Sequence, residues 1–294
     1  MPSPPHLEAR FEGIELEMYT DFYRAIPREL GNRLGIRMVP TVREEGDSGA
    51  GGRPGPFHLV ARGFDHPMFN RTLGILERAT EALEAARGLF AAEGIRRWMV
   101  QVPPGAETPG FREAARSAGL VRHRGWAKHA GRLDAKGPDA VTAPPASGLG
   151  IRRVRGSEQA EDWARIVTEC FAMPPDFQPW LAALVLRPSW RLFLALDGDE
   201  PVAAAALFRS ALDPEVAQLN FAGTRESHRG RGAQSALVAR RLAEAREAGA
   251  RWIVTETDEE LPDRPNPSYR NVVRLGLPVR YVRANWGPPK PPVS

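Results

Sequence analysis

The chain has 294 residues, 42% of them hydrophobic, with a net charge of +4 and a pI near 9.6. That length suits two domains of ordinary size, each with its own core. The basic excess is spread as mixed Arg and Glu with no basic run, which counts against nucleic-acid binding. The lone Cys170 excludes an intrachain disulfide, and the six histidines show no metal-ligand spacing. The start of the sequence lacks an apolar signal region, and no apolar run approaches the roughly 20 residues of a membrane span. The expectation is a soluble, cytoplasmic protein, monomer or homodimer, without metal, nucleic-acid or membrane partners.

In chain order, residues 1–13 are Pro-rich and polar and predict a loose start. Over 14–34, Leu16, Tyr19, Phe22, Tyr23, Ile26 and Leu30 fall near helical spacing, with Pro27 as a kink and Gly35 as a stop. Residues 36–42 and 57–63 read as strands, separated by a glycine-rich loop over 43–56. A helix over 78–94, a strand over 96–102, a helix over 111–118 and a strand over 120–129 follow. Residues 137–148, with Pro138, Pro144 and Pro145, read as a linker. Beyond it come a strand (150–155), helices (158–171 and 176–185), and a hairpin of 190–196 with 202–209 turning at Asp197-Gly198-Asp199. Cys170 follows Ile166 and Val167 on an amphipathic helix and reads as a core residue. The tail 287–292 predicts no regular structure.

The two halves repeat. A helix followed by Ala-Glu-Gly-Ile-Arg-Arg-Trp-Met-Val at 92–100 recurs as a helix followed by Glu-Ala-Gly-Ala-Arg-Trp-Ile-Val at 247–254, which aligns Trp98 with Trp252. The segment from Phe111 to Leu120 likewise parallels that from Tyr269 to Leu277. This reads as an internal duplication of one half-fold.

The most informative stretch is Arg229-Gly230-Arg231-Gly232-Ala233-Gln234. A strand over 216–224 precedes it. A helix follows, with Leu237, Val238, Leu242 and Ala245 on its apolar side and Arg240, Arg241, Glu244 and Glu247 expected on the other. Glycines between a strand and a helix let the backbone approach a ligand, and the unpaired N–H groups of the helix start favour a phosphate or pyrophosphate.

Arg229-Gly230-Arg231-Gly232 resembles the R-x-x-G-x-G/A coenzyme A motif of the GNAT N-acetyltransferases, with Gln234 at the last position in place of Gly or Ala. Residues 251–257 resemble the next strand of that fold. Asn266 to Asn271, followed by Arg274-Leu275-Gly276-Leu277, resemble its last helix and terminal Gly-Phe, with Leu277 where Phe is usual. The resemblance covers roughly 149–286. It implies an α/β (α+β) fold of two tandem GNAT-type domains, each a mixed, mostly antiparallel sheet flanked by helices. Residues 1–140 would be a degenerate domain, since Phe69-Asn70-Arg71-Thr72-Leu73-Gly74 stands where the second half has its glycine loop. Residues 141–148 would be the linker and 149–294 the acetyltransferase domain.

By the same resemblance, acetyl-CoA is the co-substrate and an amine the acceptor, with a small molecule favoured. The backbone of Ala222, Gly223 and Thr224 would hold the pantetheine arm. Arg229, Gly230, Arg231, Gly232, Ala233 and Gln234 would hold the pyrophosphate, and Asn266 and Asn271 would hydrogen-bond the cofactor. Leu219 and Phe221 are expected on one face of their strand, Gln218 and Asn220 on the other. The family's usual Glu base is Gln218 here, which cannot accept a proton. Glu256 is the first substitute and Glu215 the second; Glu256 could equally pair with the last helix. The usual thiolate acid, a Tyr, is Val272 here, so Tyr269 or Tyr281 would serve, each equally open to a packing role. The missing Glu and Tyr keep a non-catalytic coenzyme A-sensing module as the alternative.

Overall fold

A computed structural model of the chain describes residues 5–41, 55–134, 141 and 148–290. Most of the expected 43–56 loop and 137–148 linker lies outside the described residues. The first half runs α1 (Pro5–Arg24), α2 (Arg28–Leu34), β1 (Ile36–Pro40), β2 (Phe57–Ala61), β3 (Arg71–Leu73), α3 (Ala79–Ala92), β4 (Met99–Val102), α4 (Pro109–Ser117) and β5 (Val121–Arg132). The second runs β6 (Gly150–Arg153), α5 (Ser157–Cys170), α6 (Gln178–Ala182), β7 (Trp190–Asp197), β8 (Glu200–Arg209), β9 (Val216–Thr224), α7 (Ala233–Glu247), β10 (Trp252–Asp258), α8 (Pro267–Arg274) and β11 (Val279–Gly287).

Several expectations are corrected. The start is helical from Pro5, since a proline is tolerated in the first turn, and Phe11 and Ile14 bury the helix's apolar side. The expected 14–34 helix is two helices, because Pro27 has extended backbone and precedes α2. Residues 71–73, taken as the counterpart of the glycine loop, are strand β3. The expected 176–185 helix is one short α-helix between two 3₁₀ turns. Gly287 closes β11 and so belongs to the sheet.

Among the described residues, eleven strands form one sheet in the order β1-β2-β3-β4-β11-β5-β10-β9-β8-β7-β6. The two halves share it by exchanging their last strands. β11, from the second half, pairs with β4 of the first, and β5, from the first, pairs with β10 of the second. β5 and β11 pair antiparallel at the centre, with Arg283 opposite Trp126, Val282 opposite Ala127 and Tyr281 opposite Lys128.

One face of the sheet carries a single core running through both halves. It includes Phe11, Phe22 and Leu59 with Trp163, Trp180 and Trp190. Here α1 reaches across to the second half: Phe22 stacks on Trp180, and Phe11 meets Trp252 edge-on. The other face carries two cores, one around α7 and one around α3 and α4. Trp98 lies in the α3 core, while Trp252 packs against the α1 core, so the two repeat tryptophans point to opposite faces. The repeat is therefore offset by one residue from the tryptophan alignment, since a one-residue slip in a strand exchanges its faces. Aligning the left-handed glycines that follow α3 and α7, Gly94 and Gly249, sets Met99 with Val254 and Gln101 with Glu256.

Candidate active site

β9 and β10 run parallel but pair only over Val216–Gln218 and Trp252–Val254. Past Gln218 they diverge, and β10 pairs on its other side with β5 through Asp258. The Thr255 hydroxyl donates to the Leu219 carbonyl at 3.2 Å. Beyond it, the β10-facing edge of β9 has no strand partner among the described residues. This wedge lies next to the glycine loop. Gly230 (φ 78°) and Gly232 (φ 81°) both adopt left-handed backbone that only glycine takes freely. Gly232 is the residue before α7, and no side chain caps that helix, so its first N–H groups remain open. Arg229 and Gly230 are exposed, and Arg229 has no side-chain hydrogen bond or ion pair among the described residues. Arg231 pairs with Asp197 at 2.7 Å. The Gln234 amide donates to the Thr224 hydroxyl at 2.8 Å, tying the helix start to the end of β9. Ala233 is buried beneath the loop.

β9 is bulged here. Its register with β8 passes from Ala204 opposite Gly223 to Ala206 opposite Asn220, so Phe221 and Ala222 together face Ala205. Phe221 has φ 48°, which turns its ring into the α1 core beside Phe22 and Trp163, away from Leu219. The expected shared face of Leu219 and Phe221 is corrected by this bulge. Ala222 is exposed, while Gly223 packs so closely on Cys170 that an added Cβ would lie 2.5 Å from the cysteine Cβ.

Gln218 and Asn220 are hydrogen-bonded to each other, with Gln218 Nε2 donating to Asn220 Oδ1 at 3.3 Å. Gln218 is buried, and its Oε1 has no hydrogen-bond partner among the described residues. Glu256 contacts Lys128 Nζ at 2.6 Å and is also bonded by Arg283. Lys128 further binds Glu15 at 2.7 Å, and Arg283 binds both Glu12 and Glu15. Two carboxylates of α1 are thus sunk beneath the strand-exchange seam. Burial and the nearby Glu15 charge push Glu256 above the usual carboxylate range. Burial opposes ionisation of Glu15 too, but Arg283, Lys128 and Arg71 hold it well below that range. Among the described residues Glu256 has no hydrogen bond or ion pair to α8, and its proton affinity is raised.

The remaining candidates separate clearly. Tyr269 stands edge-on to His129, with ring centres 5.1 Å apart. His129 comes from the exchanged strand β5; its Nδ1 donates to the Leu277 carbonyl at 3.1 Å and its Nε2 lies 3.0 Å from the Thr257 hydroxyl. Burial pulls the His129 pKa down to about 4, so the ring is neutral at pH 7. Tyr281 is buried on the opposite face, its hydroxyl donating to Glu12 at 2.7 Å. Glu215 sits just before β9, bound to Arg10 and Arg251 and remote from the wedge. Asn266 caps α8, accepting from Ser268 and Tyr269 N–H groups and donating to the Asp258 carbonyl. Asn271 is exposed and accepts from Arg274.

The first half has its own wedge between β3 and β4, with different chemistry. Arg71 pairs with Met99, so it takes the place that Gln218 has beside Val254. Its guanidinium donates to Gln101 at 2.9 Å, and Gln101 stands where the second half has Glu256. A guanidinium and an amide provide no proton acceptor comparable to a carboxylate. The loop before α3 has a left-handed residue too, but it is Arg78, flanked by Glu77 and Glu81.

Residues 158–263 match the family model described as acetyltransferase (GNAT) family. They form a GNAT domain. No curated protein sequence matches the chain. Solved structures are similar over most of its length. A GCN5-related N-acetyltransferase from Kribbella flavida is 22% identical, with a TM-score of 0.56, covering 80% of this chain and 87% of that one. A GCN5-related N-acetyltransferase from Sphaerobacter thermophilus is 18% identical, with a TM-score of 0.55 and 84% of each chain covered. A tandem GNAT protein from the clavulanic acid biosynthesis pathway is 17% identical, with a TM-score of 0.55 and 82% of each chain covered. These likenesses show the tandem GNAT fold, and the fold supports acyl transfer. Two features of the GNAT domain had no sequence signal: the exchanged strand that brings His129 and Lys128 to it, and the burial of Arg241.

Proposed function

We propose that the protein transfers an acetyl group from acetyl-CoA to a primary amine of a small molecule, using the second half alone. The observation that carries this reading is the uncapped α7 start, with Gly230 and Gly232 in left-handed backbone, opening beside the unpaired edge of β9. The pyrophosphate would lie on the N–H groups at Gly232–Gln234, with Arg229 adding charge. The pantetheine arm would extend along Ala222–Thr224. The amine nitrogen attacks the thioester carbon, the C–S bond breaks, and the amine proton leaves through water to a base. Glu256, on β10, is that base in this reading: burial and the nearby Glu15 charge raise its pKa, which suits the role. Tyr269 would return a proton to the departing thiolate.

The second reading, a coenzyme A sensor without turnover, is favoured by one observation: Glu256 is already engaged by Lys128 and Arg283. An acetyl-CoA turnover screen over amine classes, reading thiol release, decides between them. Thiol release dependent on one amine class supports transfer. Tight coenzyme A binding with no release across the panel supports the sensor, and no binding overturns both.

A further inference from the structure

Arg241 was expected on the solvent side of α7, yet it is 1% exposed, with no carboxylate among its hydrogen-bond partners. A buried guanidinium without a counter-charge is costly, and here burial alone pulls its pKa down to about 9. Its contacts explain where it is held. Nε donates to Leu237 O of its own helix at 3.1 Å. Nη1 reaches through the sheet face to Ala206 O at 3.2 Å and Asn220 O at 3.5 Å. Ala206 and Asn220 are the last regular pair before the β9 bulge. From the other face, Trp163 Nε1 donates to Ala205 O at 3.0 Å, the residue that Phe221 and Ala222 jointly oppose. Carbonyls at and beside the bulge are thus met by α7 on one side and α5 on the other.

We propose that Arg241 is a positioning residue that locks the β9 bulge and so fixes the backbone edge on which the thioester arm lies. This inference rests on the proposed coenzyme A site. Without the clamp, the bulge can relax into a regular ladder. Every residue from Phe221 to Thr224 then changes face, and the edge beside the glycine loop is lost. Lysine can reach the same carbonyls, but only while protonated, and a buried lysine loses its proton far more readily than arginine.

The test compares wild type, Arg241→Met and Arg241→Lys by calorimetric titration with acetyl-CoA from pH 6 to 9, with circular dichroism confirming folded protein. Wild-type affinity should be nearly flat to about pH 8. Arg241→Met should bind at least tenfold more weakly at every pH. Arg241→Lys should bind within about threefold of wild type at pH 6 and progressively lose affinity as pH rises. Folded Arg241→Met that binds like wild type, or Arg241→Lys that is pH-independent, overturns the proposal. Should Arg241→Met fail to fold, the Arg241→Lys profile still decides. A wild type that binds no acetyl-CoA instead overturns the site on which the inference rests.

Discussion

At the scale of single residues, the two sides of the glycine loop predict different losses. Arg229 has no side-chain hydrogen bond or ion pair among the described residues, so its charge is available to phosphate; a charged hydrogen bond is worth about 1.5–3 kcal/mol, and Arg229→Ala should weaken coenzyme A about tenfold to a hundredfold. Arg231 is already held by Asp197, and Arg231→Ala should cost less. Gly232→Val places a β-branched residue at φ 81° against the phosphate, and should abolish binding while the far-ultraviolet spectrum stays native. Two buried histidines set a pH dependence. His58 and His129 are both pulled down to about 4 by burial, whereas an unfolded chain protonates them near pH 6.5. The unfolded state therefore gains protons first, and stability falls as pH drops from about 6.5 toward 4, by roughly 3 kcal/mol per histidine. Thermal melts at pH 7.5 and 4.5 should show this fall, and His129→Asn should reduce the difference; an unchanged pH dependence would count against a neutral buried ring. The sequence revealed the loop because Arg and Gly at that spacing have a local meaning. It hid Arg241 and Phe221 because neither burial beneath a sheet nor a bulge has a sequence period.

At the scale of elements, α1 ties the halves together by an unusual route, with Glu12 and Glu15 buried against Lys128 and Arg283. Removing one partner of a buried pair strands the other charge, at a cost of about 3–5 kcal/mol. Lys128→Met should lower stability by about that amount in urea unfolding, and Glu15→Leu added to it should recover part of the loss. Additive losses would show that the pair is not coupled. Periodicity found most helices and strands, since each buries one face. It missed the break at Pro27, because the apolar residues continue across it, and it missed β3, whose buried Arg71 and Thr72 read as polar. It also aligned Trp98 with Trp252 by identity, whereas the sheet aligns residues by the face they share.

At the scale of the whole molecule, the tandem arrangement was legible from repetition, but the exchange of β5 and β11 was not, because sequence order alone favours each strand pairing within its own half. The exchange leaves neither half with a complete sheet. A fragment of residues 148–290 would expose the β10 edge that β5 covers and would leave β11 without β4. It should therefore pair with a second copy, β11 of one lying beside β10 of the other, and light scattering should report a dimer; a stable, folded monomer would show that the exchange is dispensable. The two halves also differ in side chains, with Gln218 on β9 and Glu256 on β10 in the second and Arg71 on β3 and Gln101 on β4 in the first. The most direct measurement is a calorimetric titration of the intact protein with acetyl-CoA, repeated on Gly232→Val. The account predicts one equivalent bound per chain and none in the variant. Two equivalents, none in the wild type, or wild-type affinity in folded Gly232→Val would contradict it.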